Sequence, residues 1–408
     1  MRSSRATERN EAIIATPTFE ELELAPALLR AVRDLNFTEP TPIQILSIPP
    51  ALEGRDILAS AETGSGKSAA FGLPILDALI DEPRGKTRAL ILAPTRELAD
   101  QICEHLTALA KYTKVRVAAV YGGVAFGPQI TALKNGSDII VATPGRLLDH
   151  LSRGTSNLAF VDMLVLDEVD RMLDMGFLPD VRRILRYIST SRQTFFFSAT
   201  LPPAISALVR DMLHNPVKVE LAPTASPVEG LTQTLYAVPQ ESKTDLLIEL
   251  LKDNVIESAI AFTRTKIRAD RLAAALHKHH IPADLLHGDR SQSQRMRALD
   301  DFKAGKFRVL VATDIAARGI DIAELGHVVN YDVPAAAEDY MHRVGRTARA
   351  KASGDAITFV SYDEEPLIKQ IEYALGKPIT RSKNPLFPEA STVAPKPQVV
   401  YRSRTRRR

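Results

Sequence analysis

Short apolar runs recur along the chain, and many of them end in a small or polar cluster. In the first half they are DILAS (56–60), ALILAP (89–94), RVAAVYGG (116–123), DIIVATP (138–144), MLVLDE (163–168) and TFFFSAT (194–200). In the second half they are SAIAFTR (258–264), ADLLHG (283–288), RVLVATD (308–314), HVVNYD (327–332) and DAITFVS (355–361). Runs this short and this apolar predict buried strands. The helix-length amphipathic segments between them predict crossovers and therefore parallel sheets. The pattern pauses at ELAPTASPVEG (220–230), where Pro223, Pro227 and Gly230 predict a linker. Beyond residue 376 prolines, polar residues and arginines take over, and that composition predicts a disordered tail. The expected class is α/β with two parallel-sheet domains. A flexible lead covers 1–17, the first domain 18–219, the linker 220–230, the second domain 231–376 and a basic tail 377–408.

Length agrees with this division, since 408 residues exceed one ordinary core. A single cysteine, Cys103, excludes an intramolecular disulfide and any cysteine-rich zinc site, and reads as a small core residue in a reducing compartment. No apolar run is long enough to span a bilayer, and MRSSRATERN carries no apolar core of a secretory leader. A cytoplasmic protein is expected. The net charge of +3 hides a split. Residues 376–408 hold nine Lys or Arg and one acid, a charge of +8, so residues 1–375 carry 3 − 8 = −5. A polyanion would have to be met by a local groove and by the tail, not by overall charge.

The strongest local signal is AETGSGKS (61–68), directly after an apolar run. Glycines let such a loop curl and point N–H groups at phosphate oxygens, and a following helix offers its N-terminus to the same anion. Thr63, Gly64, Ser65, Gly66, Lys67 and Ser68 are the expected nucleotide contacts, with Lys67 on the outer phosphates and the Ser68 hydroxyl on Mg²⁺. Ala61 stands where the general pattern has glycine. Asp167 and Glu168 close the run MLVL. Asp167 is expected to bind the metal through water, and Glu168 to orient or deprotonate the attacking water.

With these two elements placed, residues 18–376 resemble the DEAD-box RNA helicases of superfamily 2, on a set of short motifs in that family's order. The signature tetrapeptide reads Asp167-Glu168-Val169-Asp170, with Val169 where the family has Ala. The resemblance implies two RecA-like domains, ATP and Mg²⁺ as cofactors, and RNA as the partner. It implies that Phe19 stacks on adenine and that Gln44 of PTPIQ (40–44) reads its edge, while Asn36 departs from the family's usual Gly. PTRELA (94–99), Gly122-Gly123 and TPGR (143–146) are similar to the first domain's RNA-backbone contacts, giving Thr95, Arg96, Gly123, Thr143 and Arg146. SAT (198–200) resembles the element that ties Asp170 to RNA binding through Ser198 and Thr200. In the second half FTRTK (262–266), HGDRSQSQR (287–295) and ATDIAARGID (312–321) imply RNA contacts at Gln292, Arg295, Thr313 and Arg318, and a ribose contact at Asp321. HRVGRTAR (342–349) implies arginine fingers at Arg346 and Arg349, with His342 as a coupling residue and Ala348 where the family often has Gly.

The expected activity is RNA-stimulated ATP hydrolysis between two domains, driving local and largely sequence-independent duplex separation or remodelling of ribonucleoprotein complexes by a monomer. An ATP-gated RNA clamp that does not unwind, and a superfamily 2 DNA translocase, remain open alternatives. The cluster His277, His279 and His280 reads as a polar helix end before Pro282 and not as a metal site. The segment RSRTRRR (402–408) is read as an RNA tether.

Overall fold

A computed structural model of the chain describes residues 17–60, 65–220, 231–252, 256–314, 326–345, 347 and 354–386. The chain divides into two compact units, Met1–Leu221 and Ala222–Arg408.

The first unit is built on a parallel sheet of seven strands: β1 (Ile57–Ser60), β2 (Ala89–Leu92), β3 (Val117–Val120), β4 (Ile139–Ala142), β5 (Met163–Leu166), β6 (Gln193–Phe197) and β7 (Val217–Glu220). Their spatial order is β3-β4-β2-β5-β6-β1-β7. Successive strand residues face opposite sides, and both sides are covered. Ile57, Ala59, Ile91, Val141, Val165 and Phe197 enter one core. Leu58, Leu90, Leu92, Ile140, Leu164 and Phe196 enter the other. That two-sided burial is why the strands are continuous apolar runs and not alternating ones.

The second unit repeats the plan with β8 (Leu231–Ala237), β9 (Ala259–Thr263), β10 (Ala283–Leu286), β11 (Val309–Thr313), β12 (His327–Asn330), β13 (Gly354–Val360) and β14 (Thr380–Ser382), in the order β10-β11-β9-β12-β13-β8-β14. Ala259, Ala261, Val309, Val311 and Val329 face one core, and Ile260, Phe262, Leu310, Ala312 and Val328 face the other. The fold class is therefore α/β with two parallel seven-stranded sheets.

Two expected boundaries shift. Glu220 is the last residue of β7, paired with Ser60, and not the first residue of a linker. Residues 221–230 lie outside the described residues. The expected tail from 377 onward also begins too early. Thr380–Ser382 forms β14 beside β8, Ile379 is buried, and fully buried Asn384 donates from Nδ2 to the Ala237 carbonyl at 2.9 Å. Arg381 makes two hydrogen bonds to the Glu365 carboxylate, at 2.8 and 3.0 Å. A basic, polar sequence is ordered here because a neighbouring strand offers its edge and an acid offers a partner.

Candidate active site

Apart from Phe19 and PTPIQ, which precede β1, the motif loops of the first unit leave the carboxyl ends of its strands, where open parallel sheets bind ligands. The strand order sorts them. The phosphate loop follows β1, Asp167-Glu168 follows β5 and SAT follows β6, and these three strands are neighbours. PTRELA follows β2, Gly122-Gly123 follows β3 and TPGR follows β4, and these are neighbours too.

Thr63 and Gly64 lie outside the described residues. Ser65 and Ser68 are half-buried on either side of Gly66 and Lys67. Gly66 has φ 93° and precedes the helix Lys67–Leu79. A Cβ there would stand 2.6 Å from Gln44 Nε2 and 2.7 Å from Thr41 Oγ1. Both the dihedral and the close approach therefore require glycine. Gln44 Nε2 donates to the Gly66 carbonyl at 3.1 Å, and Gln44 Oε1 accepts from Thr41 N–H at 3.0 Å. Both polar ends of the amide expected to read adenine are thus engaged within the chain. Phe19 is 3% exposed, and its ring stacks on Phe37 with centroids 6.3 Å apart. The ring expected to face a base is a core residue here.

Lys67 is buried, and its Nζ lies 3.5 Å from Asp167 Oδ1, itself buried. Burial works against the ammonium charge. The carboxylates of Asp167, Glu168 and Asp170 outweigh it and hold Lys67 above the usual lysine pKa. Asp167 Oδ1 is buried and accepts no hydrogen bond among the described residues. Burial pushes the Asp167 carboxyl upward against the pull of Lys67, with the neighbouring Glu168 adding to the push. A buried carboxylate oxygen whose neighbour is the Lys67 ammonium at ion-pair distance suits a hard cation once that lysine turns away, and the cation's charge would reverse that push.

Glu168 adopts φ 53°, ψ 54°, a left-handed conformation unusual for a residue with a Cβ. Its Oε2 accepts from Arg171 Nη1 at 3.1 Å, with both side chains buried. Sequence reasoning missed Arg171, and the i, i+3 spacing was the signal that pointed to it. One residue on, Asp170 turns the other way. Its Oδ2 accepts from Ala199 N–H and Thr200 N–H, each at 3.0 Å, and its own N–H donates to Ser198 Oγ at 3.2 Å. The structure brings Asp170, Ser198 and Thr200 together.

On the other loops, Thr95 Oγ1 accepts from Leu98 N–H at 3.4 Å and caps the helix Arg96–Leu109. Thr143 is buried and precedes the helix Pro144–Ser152. Gly123 has φ 81°, and a Cβ on it would fall 1.7 Å from Arg96 Nη1. Arg96 therefore lies across the glycine pair. Arg146 donates to the Val124 carbonyl through both Nη1 and Nη2 at 3.1 Å.

The second unit repeats the sorting: loops leave β9, β10 and β11, three neighbouring strands. Thr313 is the half-buried last residue of β11. Gln292 opens the helix Gln292–Lys303, which also carries half-buried Arg295. His342 lies on the helix Ala337–Val344. Next to it is Arg343, which sequence reasoning passed over. It is 2% exposed and grips Asp314 with two bonds of 2.5 and 2.8 Å. It also donates to Asn330 Oδ1 and the Asp332 carbonyl. Arg318, Asp321, Arg346 and Arg349 lie outside the described residues. Among the described residues no helix is long and apolar enough to cross a membrane.

Comparison with known proteins places these features in a family. Residues 41–208 match the DEAD/DEAH box helicase domain, and residues 242–351 match the helicase conserved C-terminal domain. The chain is 48% identical over 367 residues to the ATP-dependent rRNA helicase RRP3 of Saccharomyces cerevisiae, covering 89% of this chain and 73% of the relative. It is 43% identical over 373 residues to the DEAD-box ATP-dependent RNA helicase CshA of Bacillus cereus, covering 91% and 71%. Among solved structures it resembles S. cerevisiae Dbp5 bound to RNA and ADP BeF3, with a TM-score of 0.81 at 33% identity over 90% of this chain and 95% of that one. Mss116p bound to ssRNA and AMP-PNP gives a TM-score of 0.81 at 29% identity over 90% and 79%. With its two RecA-like sheets and its two matched domains, the chain belongs to the DEAD/DEAH box helicase family.

Proposed function

We propose that the chain is an ATP-dependent RNA helicase: RNA stimulates its hydrolysis of ATP, and hydrolysis drives local separation of RNA duplexes or remodelling of ribonucleoprotein complexes with little regard to sequence. One observation carries the reading. A single sheet edge bears phosphate chemistry at the ends of β1 and β5, arginines after β2 and β4 (Arg96 and Arg146), and the glycine pair that Arg96 crosses after β3. Within the phosphate side, the start of the helix Val169–Asp174 ties the end of β5 to the end of β6, because Glu168 and Asp170 flank that start and Asp170 is bonded to Ala199 and Thr200. The relatives named as RNA helicases and the RNA-bound structural neighbours support the same reading.

In this reading Lys67, now paired with Asp167, turns to the outer phosphates of ATP when that stronger anion arrives. Ser65 and Gly66 supply loop N–H groups, as do Thr63 and Gly64. Asp167 and Ser68 would hold Mg²⁺, whose charge would offset that of the phosphates. Glu168, oriented by Arg171, takes the proton of the attacking water. Gln44 and Phe19 serve the adenine end, where Gln44 must exchange its bond to Gly66 for the base. Asp321 meets the ribose, and Arg346 and Arg349 stabilise charge on the transferring phosphoryl group, so hydrolysis requires both units. Thr95, Arg96, Gly123, Thr143 and Arg146, with Gln292, Arg295, Thr313 and Arg318, contact phosphates and sugars, which fix position without reading sequence. Asp170, Ser198, Thr200 and His342 couple the two events. A monomer in the cytoplasm, working with the tail as an RNA tether, completes the proposal.

The test is ATP hydrolysis with and without single-stranded RNA, beside release of a labelled strand from a short duplex. Lys67→Ala should lose both activities. Glu168→Gln should lower hydrolysis on the order of 10²–10⁴-fold while still holding RNA and ATP. An ATPase indifferent to RNA would contradict the proposal, and equal stimulation by single-stranded DNA would favour the translocase.

A further inference from the structure

Three guanidiniums converge on the outer part of the first unit, and none has a carboxylate ion-pair partner among the described residues. They are Arg96, Arg146 and Arg153. Elsewhere the guanidiniums of Arg88, Arg171, Arg264, Arg268 and Arg343 are all paired with acids. The three unpaired ones are close enough to repel. Burial lowers the Arg146 pKa, and Arg96 and Arg153 lower it further against the partial relief of Asp149.

A built scaffold holds the cluster. Phe126 opens the helix Phe126–Lys134, and its ring centroid lies 4.0 Å from the Arg146 guanidinium carbon and 4.2 Å from that of Arg153. The His150 ring lies 4.9 Å from Phe126 and donates from Nε2 toward Gln129 Oε1 at 3.0 Å. The tautomer follows from Gln129, whose Nε2 donates to the Tyr121 carbonyl, leaving Oε1 to accept from both His150 and Arg146. An aromatic ring can gather cations without neutralising them. A carboxylate in the same place would have cancelled the charge. The result is a preorganised cationic surface in which Arg153 is exposed at the end of the helix Pro144–Ser152.

We infer that Phe126 and Arg153 extend the nucleic-acid surface of this unit by one further phosphate contact, beyond those expected at Arg96 and Arg146. The inference deepens the RNA reading above and rests on it. Arg153 supplies the charge, and Phe126 fixes where that charge sits. Like-charge repulsion in the free protein is relieved when an anionic backbone binds, so the contact is sequence-independent.

The test measures binding of a labelled single-stranded oligoribonucleotide over a salt series, in the presence of a non-hydrolysable ATP analogue. Each phosphate contact to a single strand contributes about 0.7 to the slope of log K against log salt. Arg153→Gln should flatten the slope by about 0.7, equally for unrelated sequences, while Arg153→Lys should keep it. Phe126→Ala should weaken binding and flatten the slope in the same direction. If that variant does not fold, the two Arg153 variants decide alone. A wild-type slope in Arg153→Gln overturns the inference. Arg96→Gln is the reference: if it flattens the slope and Arg153→Gln does not, only this extension falls. If neither changes it, the RNA reading of these loops falls and takes the extension with it.

Discussion

Val169 occupies the one position at which the signature tetrapeptide departs from its family, and it is fully buried at the start of a six-residue helix. It packs in the same core as Leu166, Met172 and Phe196. On either side, Glu168 and Asp170 point to different partners, Arg171 and the SAT backbone. The valine side chain therefore anchors the turn from which both acids project, and takes no part in the chemistry itself. Val169→Ala removes two methyl groups from a filled core, which should cost about 1–2 kcal/mol and lower the melting temperature by a few degrees. ATP hydrolysis should persist, with a modest change in RNA stimulation. A higher melting temperature in the variant would show that valine overpacks the site. Loss of hydrolysis would show that the side chain does more than anchor.

Among the elements, the most demanding charge arrangement is in the second unit. Lys243 begins the helix Lys243–Lys252 and is completely buried. Its Nζ lies 2.5 Å from Glu364 Oε2 and 3.8 Å from Asp332 Oδ1. Glu364 also accepts from Arg264 Nη2 at 3.1 Å and from Val333 N–H at 3.3 Å, which ties the ends of β9, β12 and β13 together. Burial opposes the Glu364 charge, but Lys243 and the Ser361 donors outweigh it and hold the carboxyl below its usual pKa. A depressed carboxyl contributes stability that is present above its unfolded value of 4.5 and lost as pH falls through its lower folded value. Glu364→Gln removes the nearer of the two carboxylates around Lys243, leaving it Asp332 and the Tyr331 carbonyl, and should destabilise this unit by up to about 3–5 kcal/mol at neutral pH. The loss of melting temperature below pH 4.5 should become shallower than in the wild type. An unchanged acid limb would mean that Glu364 is not the group titrating. Nothing in the sequence announced this node: a lysine in an amphipathic helix reads as solvated, and its partner is 121 residues away. Arg343 was hidden for the same reason, since its acid partner Asp314 comes from the end of another strand. Legibility tracked burial. The doubly covered strands announced themselves as apolar runs, and the motifs at their ends could be placed. The strands β7, β8 and β14, which keep wet positions and carry polar residues such as Lys218, Gln233 and Arg381, escaped notice. Gln44 was expected to read the adenine edge, and its bond to the Gly66 carbonyl, which joins residues 22 positions apart, needed coordinates.

At the scale of the whole molecule, the C-terminal segment combines a strand of the second sheet with the basic stretch proposed as a tether, and two truncations separate them. Residues 387–408 hold Lys396, Arg402, Arg404, Arg406, Arg407 and Arg408 against Glu389, a charge of 6 − 1 = +5, so the rest of the chain carries 3 − 5 = −2. All five arginines of the proposed tether are in that stretch. The ten residues before it include β14 (Thr380–Ser382), which covers the edge of β8, and Asn384 and Arg381 fasten them to Ala237 and Glu365. Cutting after Leu386 should leave the melting temperature unchanged, weaken RNA binding and flatten its salt dependence, because cations that release counterions have been removed. Cutting after Gly376 should do all of this and also lower the melting temperature and promote aggregation, because the edge of β8 loses its neighbour and the buried Ile379 and Asn384 are gone. Melting curves and RNA titrations of the two truncations distinguish the roles. Equal melting temperatures would show that β14 contributes no stability. A wild-type salt slope in the shorter cut would show that the basic segment does not touch RNA, leaving the mildly acidic body to hold the polyanion through its local clusters of arginine alone.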